Sequence, residues 1–520
     1  MSNTFFVTTA IDYVNSMPHL GTAYEKIGAD VLARFQRLFG KDTFFLMGTD
    51  EHSINVERQA RAQGLGPQEY CDRMAEKFQE VWSLLEISYD DFLRTSQPRH
   101  HAAVAQMFRK IMAAGDIYKG KYRGWYCVSC EAFLTDKDLV EGTCPVHRIK
   151  PQWIEENNYF FRLSKYQHDL LDHYEKNPQF VCPSIRHNEI VNVVKEGLQD
   201  ISISRSSLGW GIPVPDDSSQ VVYVWFDALV NYLTGAGYPA PAIPAEQGGR
   251  RWPADVHVIG KDITRFHCVI WPAMLMSAGL PLPRKVFGHG FVYIKGAKMS
   301  KTEGRSVDPV EAAKRFGPDA LRYYLMREIP FDRDGDFAWE NFQTRYTSDL
   351  ANDLGNLVSR VLSMIQRYCQ GRVPQADGQP DTDLLQTTSA LIGRLPQLVD
   401  ELDFSGILTQ TWSVVQLANR KVEEAAPWNL AKAPAQHGRL FRTLYDLAET
   451  LRILAVVIGP FMPSISSRIF QQLGMSLDKA QDRPPLQPQI PRDTKWGLLK
   501  SGQNLGQLAP LFPKEVADIA

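Results

Sequence analysis

Two short polar segments, far apart in the chain, carry residues that can bind phosphate. The first is residues 18–22 (PHLGT), which follow the apolar run 5–9. A histidine at the start of a helix can donate to phosphate oxygens, and the helix dipole and free N–H groups favour the same anion. Gly21 lacks a Cβ, so a flat base can lie against the backbone. The segment therefore favours nucleotide binding by His19 and Gly21, with a capped helix and an incidental histidine as the alternative.

The second segment is a lysine loop at residues 296–304 (GAKMSKTEG). Lys298 and Lys301 can close over the β- and γ-phosphates and neutralise the charge that develops as pyrophosphate leaves. Gly296 and Gly304 give the loop hinge freedom. A solvated loop with two lysines is the alternative, and the presence of the first segment in the same chain favours the phosphate chemistry.

A third cluster has the spacing of a metal site. Cys127, Cys130, Cys144 and His147 follow a C-x2-C…C-x2-H pattern, with thirteen residues between the two pairs. Four ligands of this kind suit tetrahedral Zn²⁺, and a complete protein ligand set predicts a structural site rather than a catalytic one. Four unrelated residues or a disulfide pair are the alternatives.

The elements that must position the first segment belong to an α/β fold. Residues 5–9 predict a buried strand, apolar residues at helical spacing predict a helix that ends at Gly40, and residues 43–47 predict a second strand. This order is the opening of a doubly wound parallel sheet of the Rossmann type. Ligands in such sheets bind at the carboxyl ends of the strands, where His19 and Asp50 fall.

The composition and the hydrophobic pattern change along the rest of the chain. Residues 120–150 are dense in Gly, Cys and charge and predict an inserted module, whereas the last third predicts an α-helical bundle. The later predicted elements are strands at 221–225 and 256–260, helices over 350–362 and 440–458, a loop at 371–382 and a Pro-rich tail from about residue 480 that wraps the surface.

Composition sets the class of protein. A chain of 520 residues can form two or three domains, and its net charge of -2 gives no global basic field, so any RNA contact must use local patches. We see neither a secretion signal nor an apolar run long enough for a bilayer. Three of the seven cysteines lie within residues 127–144, which favours a reduced cytoplasm with a local metal site over a disulfide framework.

Together the two phosphate segments resemble the nucleotide-handling signatures of class I aminoacyl-tRNA synthetases. Over nearly its whole length the chain resembles the methionyl-tRNA synthetases, of the bacterial type with a single zinc knuckle. The further matching segments are GTDEH 48–52, NYFF 158–161, ISISR 201–205, GIP 211–213, VWFDAL 224–229, IGKD 259–262, DALRYY 319–324 and DLGNL 353–357.

The resemblance implies a domain order. We expect a Rossmann catalytic domain in two halves, a connective insertion with a zinc knuckle, a stem-contact region that carries the lysine loop, and a helical anticodon-binding domain with the tail. The corresponding residues are 1–115 and 221–285 for the two halves, 116–220 for the insertion with its knuckle at 127–147, 286–345 for the stem-contact region and 346–520 for the helical domain. A monomer is expected, because no appended β-barrel tRNA-binding domain follows.

The resemblance also implies residue roles. The catalytic residues would be His19, Thr22, Lys298 and Lys301. ATP would contact His19, Gly21, Gly260, Asp262 and Lys301, with Mg²⁺ bound to the nucleotide. The methionine pocket would be Ala10, Ile11, Tyr13, Asp50, Trp225, Ala228, Tyr232, His267 and Ile270, with Asp50 on the substrate amino group. The anticodon would be read by Asn356, Arg360 and Trp428.

The physical chemistry of these residues agrees with the implied roles. A linear thioether fits an apolar and aromatic slot, a carboxylate pairs with an ammonium, and Trp offers a stacking face for an unstacked base. From the sequence alone, Trp225, Ala228 and Tyr232 would equally suit core packing, and Trp428 would equally suit the start of a helix.

The implied activity is that of a methionine–tRNA ligase. The methionine carboxylate attacks the α-phosphorus of ATP to give methionyl-adenylate and pyrophosphate, and the 3′ end of tRNA(Met) then takes the acyl group. No enzyme nucleophile is needed, since the protein contributes positioning and charge stabilisation.

Three positions depart from the family pattern. Thr22 stands where the first signature normally ends in a second histidine, Asp12 stands where an aromatic residue or proline is usual, and Arg305 stands where Asn is usual. One hypothesis is that Arg305 replaces lost positive charge. Three functions therefore compete: a working ligase that tolerates Thr22, a specialised or weakened paralogue in resistance or another acyl-transfer pathway, and a tRNA-binding or regulatory protein. The persistence of His19, Lys301 and the pocket residues favours the first.

Overall fold

The structure is a computed structural model. It describes residues 3–128, 132–134, 136–145, 148–206, 209–238, 251–294, 297–298, 307–375, 377–475 and 488–513. Within these residues, helices long and apolar enough to cross a membrane are absent.

Strands are concentrated in the first two thirds of the chain. In chain order they are β1 Thr4–Thr9, β2 Asp12–Tyr13, β3 Asp42–Asp50, β4 Asp91–Arg94, β5 Ile117–Cys127, β6 Ala132–Leu134, β7 Gln152–Phe161, β8 Val181–Cys182, β9 Ile201–Ser202, β10 Ser204–Arg205, β11 Pro213–Val214, β12 Asp217–Val222, β13 Val256–Gly260, β14 Val286–His289, β15 Val292–Ile294, β16 Ala297–Lys298 and β17 Gly335–Phe337.

Helices surround the strands and make up the last third. In chain order they are α1 Leu20–Leu38, α2 Ile54–Ala62, α3 Pro67–Leu84, α4 Pro98–Ala113, α5 Gln167–Lys176, α6 Ser184–Lys195, α7 Val224–Gly235, α8 Trp271–Ser277, α9 Pro309–Phe316, α10 Pro318–Glu328, α11 Trp339–Arg345, α12 Asn356–Tyr368, α13 Thr382–Asp400, α14 Phe404–Ala425, α15 Pro427–Leu430, α16 His437–Ile458 and α17 Pro463–Gln472. Two π-helical turns, at 266–270 and 346–355, precede α8 and α12.

A parallel sheet forms the base of the predicted catalytic domain. Its strand order is β4-β3-β1-β13-β14-β8, and β2 pairs with the end of β3. Every pairing is parallel, as predicted for a doubly wound fold. Five of the six residues of β1 are buried, because both faces of such a sheet are covered. The sheet brings the carboxyl ends of β1, β3, β13 and β14 to one edge.

The first helix begins and ends as the sequence predicts. The His19 side chain caps its N-terminus, and Gly40, with φ of 78°, lies beyond its C-terminus. Only glycine adopts this left-handed conformation without strain, so the chain turns there into β3.

The predicted strand at 221–225 is partly wrong. The strand ends at Val222, whereas Val224 and Trp225 begin α7.

The insertion and the helical region are separate layers. Strands β6, β5, β7 and β9 form an antiparallel sheet, and helices α12 to α17 form a bundle. One continuous apolar core runs from the parallel sheet into this bundle. The tail is more than a surface wrap, because Leu499, Leu511 and Phe512 are buried in that core.

Arg322 joins three parts of the chain. Its buried guanidinium donates to Asp30 of α1 at 2.6 Å and to the carbonyls of Leu85, Pro460 and Phe461. A guanidinium can be buried when its donors find partners, and four hydrogen bonds are made here. The helix that begins at His19 is therefore fixed against the helical bundle.

Candidate active site

His19 lies at the N-terminus of α1, as predicted. Its Nδ1 accepts from the Thr22 backbone N–H at 3.2 Å and lies 3.4 Å from the Thr22 hydroxyl oxygen. Because Nδ1 accepts the capping bond, the neutral ring carries its proton on Nε2. Thr22 thus helps to set the tautomer of His19, and Gly21 is the second residue of the helix.

Strands β3 and β13 bring two more predicted site residues to the same edge. Asp50 is the last residue of β3, is 3% exposed and pairs in register with Tyr13. Gly260 ends β13 and pairs with His289 of β14. A Cβ at Gly260 would lie 2.7 Å from the Asp262 carboxylate, so a side chain there would close the edge of the sheet.

An aromatic cluster, made of Tyr13, Trp225 and Phe266, lies next to this edge. Trp225, near the start of α7, stacks on Phe266 with ring centroids 3.7 Å apart, and Tyr13 meets Trp225 edge to face at 6.2 Å. Ala228 and Ile270 are buried in the same region, and Ile11 lies close to Gly48. The cluster therefore offers apolar surfaces and ring edges, which suit a thioether side chain.

The polar pair in this region is uncharged. The Tyr232 hydroxyl lies 2.6 Å from His267 Nε2, and His267 Nδ1 lies 3.0 Å from the Ile263 carbonyl oxygen. Nδ1 must donate to that carbonyl, so Nε2 accepts from the tyrosine. Burial lowers the pKa of His267 to about 4 and raises that of Tyr232, so both groups are neutral near pH 7.

A buried chain of alternating charges lies beneath the edge. The Lys26 ammonium is fully buried and donates to Ala10 O at 2.8 Å, Asp12 Oδ1 at 3.0 Å and Glu25 Oε1 at 2.6 Å. Glu25 Oε2 lies 3.0 Å from His289 Nε2, and His289 Nδ1 donates to the Gly290 carbonyl at 2.7 Å.

The charges in this chain stabilise one another. Burial opposes ionisation of Glu25, but Lys26 and His289 together lower its pKa to about 2. Burial would lower the pKa of Lys26, and its two carboxylates raise it instead. Burial raises the pKa of Asp12 to about 6 against the pull of Lys26. Asp12, a departure from the family pattern, is thus held by a lysine.

A second buried network supports the loop after β3. The Asp227 carboxylate of α7 accepts from His52 Nδ1 at 2.7 Å and from His100 Nε2 at 2.6 Å, and His100 Nδ1 lies 2.9 Å from the Thr234 hydroxyl. Burial opposes ionisation of Asp227, but the two histidines hold its pKa well below the usual range. His52 follows Asp50 by two residues, so this network fixes the strand end that carries Asp50.

The lysine loop and the metal cluster lie partly outside the described residues. Lys298 is the last residue of β16, which pairs with β15, whereas Lys301 and Arg305 fall outside them. Cys127 and Cys144 are buried at 0% and 1% exposure. Cys130 and His147, the other two predicted ligands, fall outside the described part of the chain, within which no group of three metal-binding side chains occurs.

The predicted anticodon residues come together on the bundle. Asn356 and Arg360 are one turn apart on α12. The Arg360 guanidinium lies over the Trp428 ring at 5.8 Å and pairs with Glu423 at 2.7 Å. Trp428 is 36% exposed, so part of its ring is open to solvent. The three side chains therefore share one accessible surface.

Sequence reasoning missed several residues of the site. Phe266, Lys26, Glu25 and His289 were not singled out, nor was the His52–Asp227–His100 network. Three of them had a local signal, since Phe266 precedes a predicted pocket residue and both His52 and Asp227 lie within matching segments. The networks join residues far apart in sequence, and no spacing rule reveals them.

Comparison with known proteins defines the class. A family model described as "tRNA synthetases class I (M)" matches residues 5–152 and 146–362. Since these ranges cover more than half of the chain, it belongs to the class I tRNA synthetases.

The relatives define the family within that class. A methionine–tRNA ligase of Caldanaerobacter subterraneus subsp. tengcongensis is 45% identical over 99% of this chain and 79% of its own length. One of Synechocystis sp. is 45% identical over 98% of this chain and 97% of its own. The methionyl-tRNA synthetase of Mycobacterium tuberculosis, in complex with methionyl-adenylate, superposes with a TM-score of 0.93 at 43% identity over 99% of this chain and 100% of that one. The chain is thus a member of the methionine–tRNA ligase family.

Proposed function

We propose that this enzyme joins L-methionine to tRNA(Met) in two ATP-dependent steps, with methionyl-adenylate as the intermediate. The observation that carries the proposal is the edge where β1, β3 and β13 end. His19 caps the helix that follows β1, the buried Asp50 ends β3 and Gly260 ends β13, and the aromatic cluster includes Tyr13, the register partner of Asp50. This edge therefore offers a binding group for the nucleotide, for the methionine ammonium and for the methionine thioether.

In the first step, methionine and ATP bind side by side. The thioether packs against the aromatic cluster of Tyr13, Trp225 and Phe266, and the Asp50 carboxylate pairs with the substrate ammonium. His19 donates from Nε2 to the phosphates, and the N-terminus of α1 favours the same charge. The methionine carboxylate then attacks the α-phosphorus, and the bond to pyrophosphate breaks.

The lysine loop acts on the leaving group. Lys298 and Lys301 would neutralise the charge that develops on pyrophosphate, and Mg²⁺ would accompany ATP as part of the substrate. Thr22 offers one hydroxyl, which already lies 3.4 Å from His19 Nδ1, in the place of a second imidazole. We expect the step to proceed because His19 keeps its capping geometry.

In the second step, the terminal adenosine of tRNA takes the methionyl group and AMP leaves. The exposed Trp428 offers a stacking face for an unstacked anticodon base, and Asn356 and Arg360 offer donors for base edges. The contact between Arg360 and Trp428 holds this surface together before RNA binds.

A zinc ion is proposed for the connective insertion. Cys127 ends β5, and the residues after Cys144 fold back, since Arg148 N–H donates to Cys144 O at 2.8 Å and Cys144 N–H donates to Ile149 O at 2.9 Å. Two buried thiols, Cys127 and Cys144, fit the start of a structural site. We expect a chelator to remove one zinc per chain. The insertion should then lose its fold, with no direct loss of ATP binding.

The proposal is tested by charging tRNA(Met) with labelled methionine. Wild-type protein should form methionyl-tRNA that is sensitive to alkaline hydrolysis, and a tRNA(Met) with a changed anticodon should be charged poorly. Binding of tRNA without any charging would contradict the proposal and favour the third function, a tRNA-binding or regulatory protein.

A further inference from the structure

Lys26 is a fully buried charge near the site. Its side chain is 0% exposed, and its ammonium makes three hydrogen bonds, which is the number of protons it carries. A buried ammonium is costly unless it is fully paired, so this position is determined by the groups around it.

The three acceptors of Lys26 lead to the two halves of the site. Ala10 O and Asp12 Oδ1 belong to the chain that leaves β1, beside Tyr13 and its register partner Asp50. This is the methionine side. Glu25, the third acceptor, binds His289 at 3.0 Å, and His289 pairs in register with Gly260. That is the nucleotide side.

The Asp12 carboxylate has a second oxygen that the network does not use. Asp12 Oδ2 is buried and has no hydrogen-bond partner among the residues that the structure describes. Its Oδ1 is fixed by Lys26, so the direction of Oδ2 is fixed as well. Without the lysine, a carboxylate at this place would be unpaired and free to rotate.

His289 is held in the same manner from the other end. Its two ring nitrogens face the Glu25 carboxylate and the Gly290 carbonyl, both of which only accept. The ring satisfies both partners when it carries two protons. The sequence of charges from Asp12 through Lys26 and Glu25 to His289 then alternates in sign along its whole length.

We propose that Lys26 is a positioning residue for adenylate formation. It fixes the Ala10 carbonyl and the Asp12 carboxylate on the methionine side, and through Glu25 it fixes His289 on the nucleotide side. The inference rests on the proposed function, since it assigns a role within that reaction. Lys26 touches neither substrate; it sets the geometry in which both are held.

The test compares three variants by methionine-dependent ATP–pyrophosphate exchange. Asp12→Asn should raise KM for methionine several-fold with little change in KM for ATP, and Glu25→Gln should do the reverse. Lys26→Met, similar in length but uncharged, should raise both KM values and lower kcat/KM for methionine by roughly 10²-fold, because two buried carboxylates lose their counter-ion.

A matched control separates positioning from stability. Arg452 is a buried cation, 2% exposed, that binds one carboxylate, Glu449, and two backbone carbonyls far from the site. Arg452→Met should lower stability comparably and leave both KM values unchanged.

The double variant Asp12→Asn/Lys26→Met should recover at least tenfold of the kcat/KM for methionine that Lys26→Met loses. If the single variant does not fold, the double variant provides the test.

The outcomes are distinguishable. Lys26→Met with exchange constants within twofold of those of Arg452→Met would overturn the inference, as would a double variant no better than the single one. If wild-type protein itself shows no methionine-dependent exchange, the proposed function fails instead.

Discussion

Asp319 provides a test of how α10 is joined to α17 of the helical bundle. It is the second residue of α10, and its Oδ2 accepts from the Ile465 N–H in the first turn of α17 at 2.6 Å. Burial, with help from the charge of Glu86, raises the pKa of Asp319 to about 7 from an ordinary 3.8, although Arg322 opposes the shift.

The pKa of Asp319 determines how the stability of the protein changes with pH, in both direction and size. Below about pH 4 the carboxyl is protonated in both the folded and the unfolded chain. Between about pH 4 and 7 the unfolded chain loses the proton and the folded chain keeps it, so stability falls by about 1.4 kcal/mol per pH unit. The total loss of stability reaches about 4 kcal/mol near neutral pH and then levels off.

The perturbation is Asp319→Asn, which keeps an acceptor for Ile465 N–H and cannot ionise. The difference in unfolding free energy between the variant and the wild type, from urea titrations, should grow in favour of the variant as pH rises from about 4.5 to 7.5. Asp308→Asn, at the exposed N-cap of α9, is the control and should show no such growth. A difference that stays constant with pH would refute the reasoning.

Three further predictions concern the site and the bundle. Tyr232→Phe removes the hydroxyl that donates to His267 Nε2 and leaves a buried acceptor unpaired. We expect this to weaken methionine binding by about 1–3 kcal/mol, which would appear as a rise in KM for methionine but not for ATP. Asp227→Asn takes the shared charge from two buried histidines and should lower the unfolding free energy by roughly 3–5 kcal/mol, measured by urea titration; an unchanged midpoint would contradict the role of this network. Trp428→Ala should raise KM for tRNA(Met) by roughly 10- to 100-fold through loss of base stacking, with pyrophosphate exchange, which needs no tRNA, as the internal reference.

The opening of the fold could be predicted because its local patterns agree. The apolar run of β1, the helical spacing up to Leu38 and the glycine at position 40 all point to strand, helix and strand. The prediction was wrong at Val224 and Trp225, where a short apolar run suits a strand or a buried helix equally. The helix prevails there because the same run continues to Thr234 with buried residues on all sides.

The site could be predicted only in part, for a different reason. His19 belongs to a short segment whose residue types already indicate chemistry, whereas the roles expected for Asp50 and Trp428 rest on the family resemblance. Lys26 looked like an ordinary helix residue, because its burial depends on acceptors that only the folded chain brings together. The tail is similar, since its prolines predict a surface segment, whereas its few apolar residues decide that it enters the core.

The most direct test of the central claim is amino-acid-dependent ATP–pyrophosphate exchange on purified protein, beside a Thr22→His variant. We predict robust exchange with methionine in the wild type, little exchange with other amino acids, and a change of less than about tenfold on introducing the histidine, because His19 already has its capping partner. Absence of exchange in the wild type, with rescue by Thr22→His, would contradict the account and would identify a paralogue that has lost the activation step.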